Sequence, residues 1–165
     1  MPSATADQPL LDEDHAAFIQ SGVSILAASR DASNAPQLAR AIGCRVSPDR
    51  RRVTVFVAAF QAATLIAAVR ATRTIAVGFN LPSTHRAFQL KGTDATVGPL
   101  DRGDLEIAVR YVDAFVANIA LLGYSEPIGR ALLAFDPAEL LAISFTPSAA
   151  FVQTPGPRAG ARVHR

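Results

Sequence analysis

Tryptophan is absent from the chain, and cysteine, methionine and lysine each occur once in 165 residues. The single cysteine, Cys44, excludes an internal disulfide and any cysteine-rich metal site. The histidines His15, His85 and His164 stand far apart, with no metal-ligand spacing. No apolar run reaches the ~18 residues that a membrane span needs. Neither common glycine-rich phosphate loop occurs. The opening residues, MPSATADQPLLDEDH, show no basic region followed by an apolar run, so no secretory leader is expected. No basic stripe with interleaved aromatics occurs either, which argues against nucleic acid as a partner. A reducing, cytoplasmic setting is the expectation that follows.

What the chain does contain is apolar. Half of its residues are hydrophobic and 18% are charged, the balance of a globular domain. Its length suits one domain with a substantial core. We expect a loose arm over residues 1–11, one folded domain over 12–153, and a proline- and glycine-rich tail over 154–165. The net charge is only +2. Arg50, Arg51 and Arg52 follow Ser47-Pro48-Asp49 and read as a solvated hairpin tip.

Local patterns predict the elements. DEDHAAFIQ places acids in the first turn of a short helix, where the helix dipole favours them, and Gly22 ends it. Strands are expected over 23–29, 37–47, 51–60, 74–80 and 86–98, and over 139–152 as one strand or two, with turn-forming residues between them. Gly92 reads as a bend within its strand. QAATLIAAVRATR, 61–73, changes to helical spacing, with Leu65, Ala68 and Val69 on one face. A longer helix over 102–122 has Asp101 as its expected N-cap, with Asp104 three residues on. Its apolar stripe is Leu105, Val109, Val112, Phe115 or Val116, Ile119 and Leu122. Short strands joined by hairpins, with few helices, predict a small antiparallel barrel with helices packed outside it.

Two stretches hold candidate ligand residues. In THRAFQLKG, side-chain alternation puts Phe88 and Leu90 on one face and Gln89 and Lys91 on the other. That second face is either an ordinary wet face or a ligand wall. In the latter case the amide of Gln89 meets a planar heterocycle and the Lys91 ammonium meets an anion, a contact worth roughly 1.5–3 kcal/mol. In strand 37–47, Arg40 alternates with Leu38, Ile42, Cys44 and Val46. A guanidinium on that apolar face must be paired, reach out to water, meet an anionic ligand, or mark a shift of register. His85 opens the strand after Pro82-Ser83-Thr84, as a loop histidine or a proton carrier.

These residues and the order of elements meet a known pattern. APQLARAIGCRVSPDRRRVTVFV, AATLIAAVRATRTIAVGFN and STHRAFQLKG together resemble the pyridoxamine 5'-phosphate oxidase-like, FMN-binding split-barrel family. The likeness runs from about Phe18 to about Phe151, and a bacterial branch of the family shares a tail similar to FVQTPGPRAG. The resemblance implies a fold that is mainly β with inserted helices, a six-stranded antiparallel split barrel. It implies a homodimer with FMN in clefts at the interface. By position it assigns Arg40 and Lys91 to the phosphate, and Gln89 to the flavin ring or ribityl chain. It sets the backbone of Val57, Ala58 and Ala59 beside the ring, with Gln61, Thr64 and His85 near the site.

Two departures shape the functional expectation. Where many members hold the phosphate with a hydroxyl and a cation, this chain reads AAFQAATL, with Gln61 and Thr64 polar and no cation. True vitamin B6 oxidases also carry a C-terminal segment with arginine and tryptophan, and this chain has no tryptophan. The expectation is an FMN-binding oxidoreductase that does not oxidise vitamin B6. The alternative is a non-catalytic barrel with weak or lost FMN affinity that carries or senses haem or another planar anion.

Overall fold

The computed structural model of the protein describes residues 8–164. Strands β1 (Ser24–Arg30), β2 (Pro36–Arg40), β5 (Ile75–Leu81), β6 (Arg86–Gly92) and β9 (Ala149–Val152) form one antiparallel sheet in the order β2-β1-β5-β6-β9. Strands β3 (Cys44–Val46), β4 (Val53–Ala58), β7 (Thr96–Gly98) and β8 (Leu140–Phe145) form a second, in the order β3-β4-β8-β7. Six stretches of chain build these nine strands. β2 runs on into β3, β6 into β7, and β8 into β9, and each of these stretches bends out of one sheet into the other. Traced through the bends, the pairings close a ring, which is the expected split barrel with its helices outside.

The bends correct the expectation of one strand over 37–47. Gly43 has φ +119°, a conformation that few side chains tolerate. The turn there lets Ile42 N–H donate to Phe56 O at 2.7 Å and Gly43 O accept from Phe56 N–H at 3.1 Å. A single alternation therefore does not run through the segment. Ile42 and Cys44 are buried, while Leu38 is exposed and Arg40 half-buried. Arg40 does not sit on an apolar interior face. Strand 86–98 divides likewise at Gly92, where a Cβ would come within 2.7 Å of the Phe145 ring.

Among the described residues four α-helices pack around the barrel: α1 (Glu13–Ile19), α2 (Ala63–Thr72), α3 (Asp104–Ala120) and α4 (Glu126–Leu132). Asp12 caps α1, accepting from His15 N–H at 2.7 Å. In α2, Leu65, Ala68 and Val69 are buried, as their spacing predicts. The expected N-cap of the long helix is corrected. α3 starts at Asp104 behind Gly103, and Asp101 lies before it. The reason is an ion pair. Arg45 Nε donates to the fully buried Asp104 carboxylate at 2.6 Å, and Asp101 N–H donates to the same carboxylate at 2.9 Å. That hydrogen bond to Asp104 also holds the Arg45 guanidinium more firmly protonated than usual. The buried face of α3 is Ala108, Tyr111, Val112, Phe115, Val116 and Ile119, so the expected stripe is rotated and Leu105, Val109 and Leu122 stay partly exposed. The small Ala108 and the Tyr111 hydroxyl, which donates to Val23 O at 2.8 Å, draw that face inward.

The chain after β9 folds back along it. Val152 N–H donates to Ala161 O at 2.9 Å, Val163 N–H donates to Ala150 O at 2.8 Å, and Phe151 bridges Arg162. The outer edge of β9 is thereby paired, which removes an exposed strand edge. Most of the expected N-terminal arm lies outside the described residues, but Leu11 within them is fully buried. Among the described residues no helix is long and apolar enough to cross a membrane, and no group of His, Cys, Asp and Glu could hold a metal ion.

Candidate functional site

Strand register decides which polar side chains can meet. In the five-stranded sheet, Arg40 pairs with Leu26, Leu26 with Gly78, Gly78 with Gln89, and Gln89 with Phe151. The row beside it reads Leu38, Ala28, Ala76, Lys91 and Ala149. Directly paired residues of a sheet share a face. Arg40, Gln89 and Lys91 therefore stand on one face, the outer one, although they come from sequence positions about fifty residues apart. The inner face holds Ile25, Ala27, Val77, Phe79, Phe88 and Leu90, all buried.

The outer face has an apolar middle and a basic rim. Its centre is Leu26, Ala28, Ala76 and Gly78, none larger than leucine. Arg30 ends β1 and Arg40 ends β2 at one side, while Lys91 lies towards the other. Arg162, bridged to Phe151, extends the first row beyond β9. The five strands contain no Asp, Glu, His or Cys, so no carboxylate in them offsets these cations. Arg40 Nη1 donates to Ser24 Oγ at 2.9 Å and Arg30 Nη1 to Asn34 Oδ1 at 2.9 Å, neutral partners, and among the described residues neither pairs with a carboxylate. The Lys91 ammonium lies 5.2 Å from the centre of the Phe151 ring, close enough for a cation–π contact. Arg40 and Gln89 are three strand spacings apart, roughly 14 Å. A cavity of about 340 Å³ opens on this face over Ala28 and Ala76, bounded by Arg30, Thr74, Lys91 and Thr93.

The other candidate residues lie elsewhere. Val57 and Ala58 are buried in β4 and pair with Leu141 and Leu140 of the other sheet. Ala59 donates to Glu139 O at 2.8 Å. Gln61 and Thr64 are exposed at the start of α2, whose N-cap Ala62 makes no capping bond. His85 is exposed at the tip of the β5–β6 hairpin, with φ +58°. Six residue steps along the strand lead from it to Lys91, roughly 20 Å. The register thus joins Arg40, Gln89 and Lys91 and leaves out Val57, Ala58, Ala59, Gln61, Thr64 and His85. It adds residues that alternation within one strand could not find, namely Leu26, Ala28, Ala76, Gly78, Phe151 and Arg162. The one local signal was Gly78, an interruption in the apolar run TIAVGFN.

Two larger hollows differ in character. One of about 650 Å³ lies beneath the folded-back tail, with His15, Arg158, Arg162 and His164 at its walls. The other, about 470 Å³, lies between the end of α1 and α3 and is lined by Gln20, Cys44, Arg110 and Tyr111. Burial pushes both the Cys44 thiol and the Tyr111 phenol up, so neither is ionised at neutral pH.

No protein-family model matches the sequence, and no curated protein does. Solved structures do superpose on it. HupZ of Group A Streptococcus is 13% identical, with 91% of this chain and 99% of that one covered at a TM-score of 0.56. An F420 reductase is 12% identical, with 85% and 98% covered at a TM-score of 0.54. A putative pyridoxamine 5'-phosphate oxidase of Lactobacillus delbrueckii is 16% identical, with 92% and 100% covered at 0.51. At such identities the likeness is one of fold, and the fold is the split barrel of pyridoxamine 5'-phosphate oxidase-like proteins.

Proposed function

We propose that the outer face of the five-stranded sheet binds FMN and that the protein is a flavin-dependent oxidoreductase, acting as a homodimer across that face. The observation that carries this reading is the face itself: a flat apolar centre framed by Arg30, Arg40 and Lys91 on strands that hold no acid. A tricyclic ring with a phosphorylated side chain has the two properties such a surface selects, flatness and negative charge. Lys91 and Arg40 would hold the phosphate through charge-assisted hydrogen bonds. The Gln89 amide can donate to and accept from the polar edge of the ring. Bound FMN would supply hydride or electron transfer, and the protein its position and electrostatic surroundings. Two of the proteins that share the fold are named as a reductase and a putative oxidase, which agrees with this chemistry.

Copurified flavin absorbance, or a spectral change on titration with FMN, tests the reading. A colourless protein that FMN does not perturb overturns it. Light scattering on the eluted protein tests the dimer. One observation favours a second reading, a non-catalytic carrier of a planar anion such as haem. The five strands of the face hold no His, Asp, Glu or Cys that could act as an acid or base, and His85 stands at the far end of its hairpin. Anaerobic addition of NADH or NADPH to the FMN-loaded protein separates the two, since a carrier leaves the flavin oxidised.

A further inference from the structure

The hollow beneath the folded-back tail, about 650 Å³, has the size of a small-molecule site. The tail beside it is fixed at many points. Thr154 Oγ1 accepts from Ala87 N–H at 2.9 Å, and Gln153 N–H donates to Ala87 O at 2.9 Å, which ties the segment to β6. Gly156, with φ +141°, then turns the chain between Pro155 and Pro157. Ala159 N–H donates to Gly156 O at 3.0 Å, Gly160 N–H to Val152 O at 2.8 Å, and Ala161 N–H to Arg158 O at 3.0 Å. Arg158 thus stands on a closed loop pinned at both ends.

The walls of the hollow are basic and lack acids. Residues 146–165 contain no Asp or Glu. Arg158, Arg162 and His164 line the hollow from the tail, and all three are exposed. Among the described residues their side chains have no hydrogen-bond or ion-pair partner. The wall supplied by α1 is His15. Its ring stacks on Phe88, with 4.3 Å between centroids, and its Nδ1 lies 2.8 Å from Asp12 Oδ1. That oxygen already accepts from His15 N–H, and Nδ1 is the one buried side-chain polar atom among the described residues without a hydrogen bond. Native structures hold few such atoms, and each has a cause. Here Phe88 and Asp12 fix the ring, and its other nitrogen, Nε2, has no partner among the described residues.

We propose that this hollow is a second ligand site, for a small organic molecule carrying a phosphate monoester. The planar fork of Arg158 matches two phosphate oxygens. Arg162, His164 and His15 Nε2 offer further donors around the same space. Two arginines and two imidazoles suit a dianion better than the single charge of a carboxylate. Val152, Val163, Pro155 and Pro157 give the organic body an apolar wall. Val152 pairs with Phe88 of the inner row, so the hollow opens at the edge of the barrel, away from Gln89 and Lys91. Arg162, bridged to Phe151, marks the border between the two. The site therefore does not depend on the reading of the sheet face.

Calorimetric titration of the full-length protein with phenyl phosphate, inorganic phosphate and benzoate tests this. Phenyl phosphate is expected to bind tightest, because inorganic phosphate lacks the apolar body and benzoate the second charge. Arg158→Ala should weaken phenyl phosphate tenfold or more without moving the melting temperature, since the side chain is exposed. Arg158→Lys, which keeps the charge and loses the fork, should fall between. His15→Gln should weaken it threefold or more, and Lys91→Ala should leave it within twofold. No saturable heat with phenyl phosphate overturns the proposal, as does binding by Arg158→Ala within twofold of wild type. Benzoate as tight as phenyl phosphate overturns the phosphate assignment. A loss in Lys91→Ala equal to that in Arg158→Ala overturns the location, because it puts the anion on the sheet face. FMN, itself a phosphate monoester, separates this site from that face. If FMN affinity falls in Arg158→Ala and not in Lys91→Ala, the hollow stands and the FMN-face reading falls.

Discussion

The two sheets of the barrel are built for opposite purposes. β4, in the four-stranded sheet, is buried at all six positions, VTVFVA. It is enclosed on both faces, as strands covered by helices are. β5, in the five-stranded sheet, alternates between buried and half-buried positions along IAVGFNL, and β6 alternates likewise. Only its inner face is packed. The glycines differ as sharply, though not by sheet. Gly22, with φ +76°, lies so close to α3 that a Cβ would sit 2.5 Å from Ala114 Cβ, whereas Gly78 faces open space. The same residue type thus meets close packing in one place and open space in the other. The charges divide too. On the helix-covered side Arg45 meets Asp104 and Asp101, while Arg40 and Lys91 on the open side meet no carboxylate among the described residues. Closed regions pair their charges with carboxylates, and the open face leaves Arg40 and Lys91 with neutral partners.

The largest expected break in this contrast is Asp104→Ala, which strips Arg45 of its buried partner. About 3–5 kcal/mol of stability should disappear in a urea titration. A loss under 1 kcal/mol would mean that Arg45 finds solvent at no cost. Gly22→Ala comes next at about 2–3 kcal/mol, because strain at positive φ adds to a collision with α3. On the open face, Lys91→Ala should leave the urea midpoint within experimental error. It should weaken FMN by about 1.5–3 kcal/mol, roughly ten- to a hundredfold, in a fluorescence titration. Unchanged affinity would remove Lys91 from the phosphate. Gly78→Ala should gain up to about 0.5–1 kcal/mol of stability where Gly22→Ala loses it, and equal losses at both sites would erase the distinction. The smallest effect concerns pH. Burial alone would raise the Asp94 carboxyl, but the hydrogen bonds from Thr146, its N–H at 2.8 Å among them, and the Arg52 charge together outweigh it and hold the group below its ordinary 3.8. A depressed carboxyl contributes stability above its unfolded value and loses it as pH falls through the folded one. Asp94→Asn should therefore flatten the fall in stability below about pH 4, and a parallel acid profile in wild type and variant would count against it.

Much of the fold was legible because its signals are local. Alternation in RAFQLKG separated Phe88 and Leu90 from Gln89 and Lys91, and helical spacing in ATLIAAVRAT found the buried side of α2. The break between β2 and β3 was not legible. Its cause is Phe56 behind Gly43, a contact that no window over 37–47 contains. The rotation of α3 escaped for the same reason, since Ala108 and Tyr111 are drawn inward by partners far along the chain. The site was half legible. Period two put Gln89 and Lys91 on one face, but only pairing across β1 and β5 brought Arg40 onto it and left His85, Gln61 and Thr64 off it.

By itself the sequence determined that this chain folds as a small antiparallel barrel with helices outside. Side-chain period, turn residues and apolar content act over a few residues each, and they need no distant partner to be read. The tertiary structure alone decided that Gly78, Ala76 and Ala28 share one sheet face with Arg40, Gln89 and Lys91. That arrangement rests on register, and register is set when the whole inner face is buried at once, since a slip of one residue would turn every side chain to the wrong side.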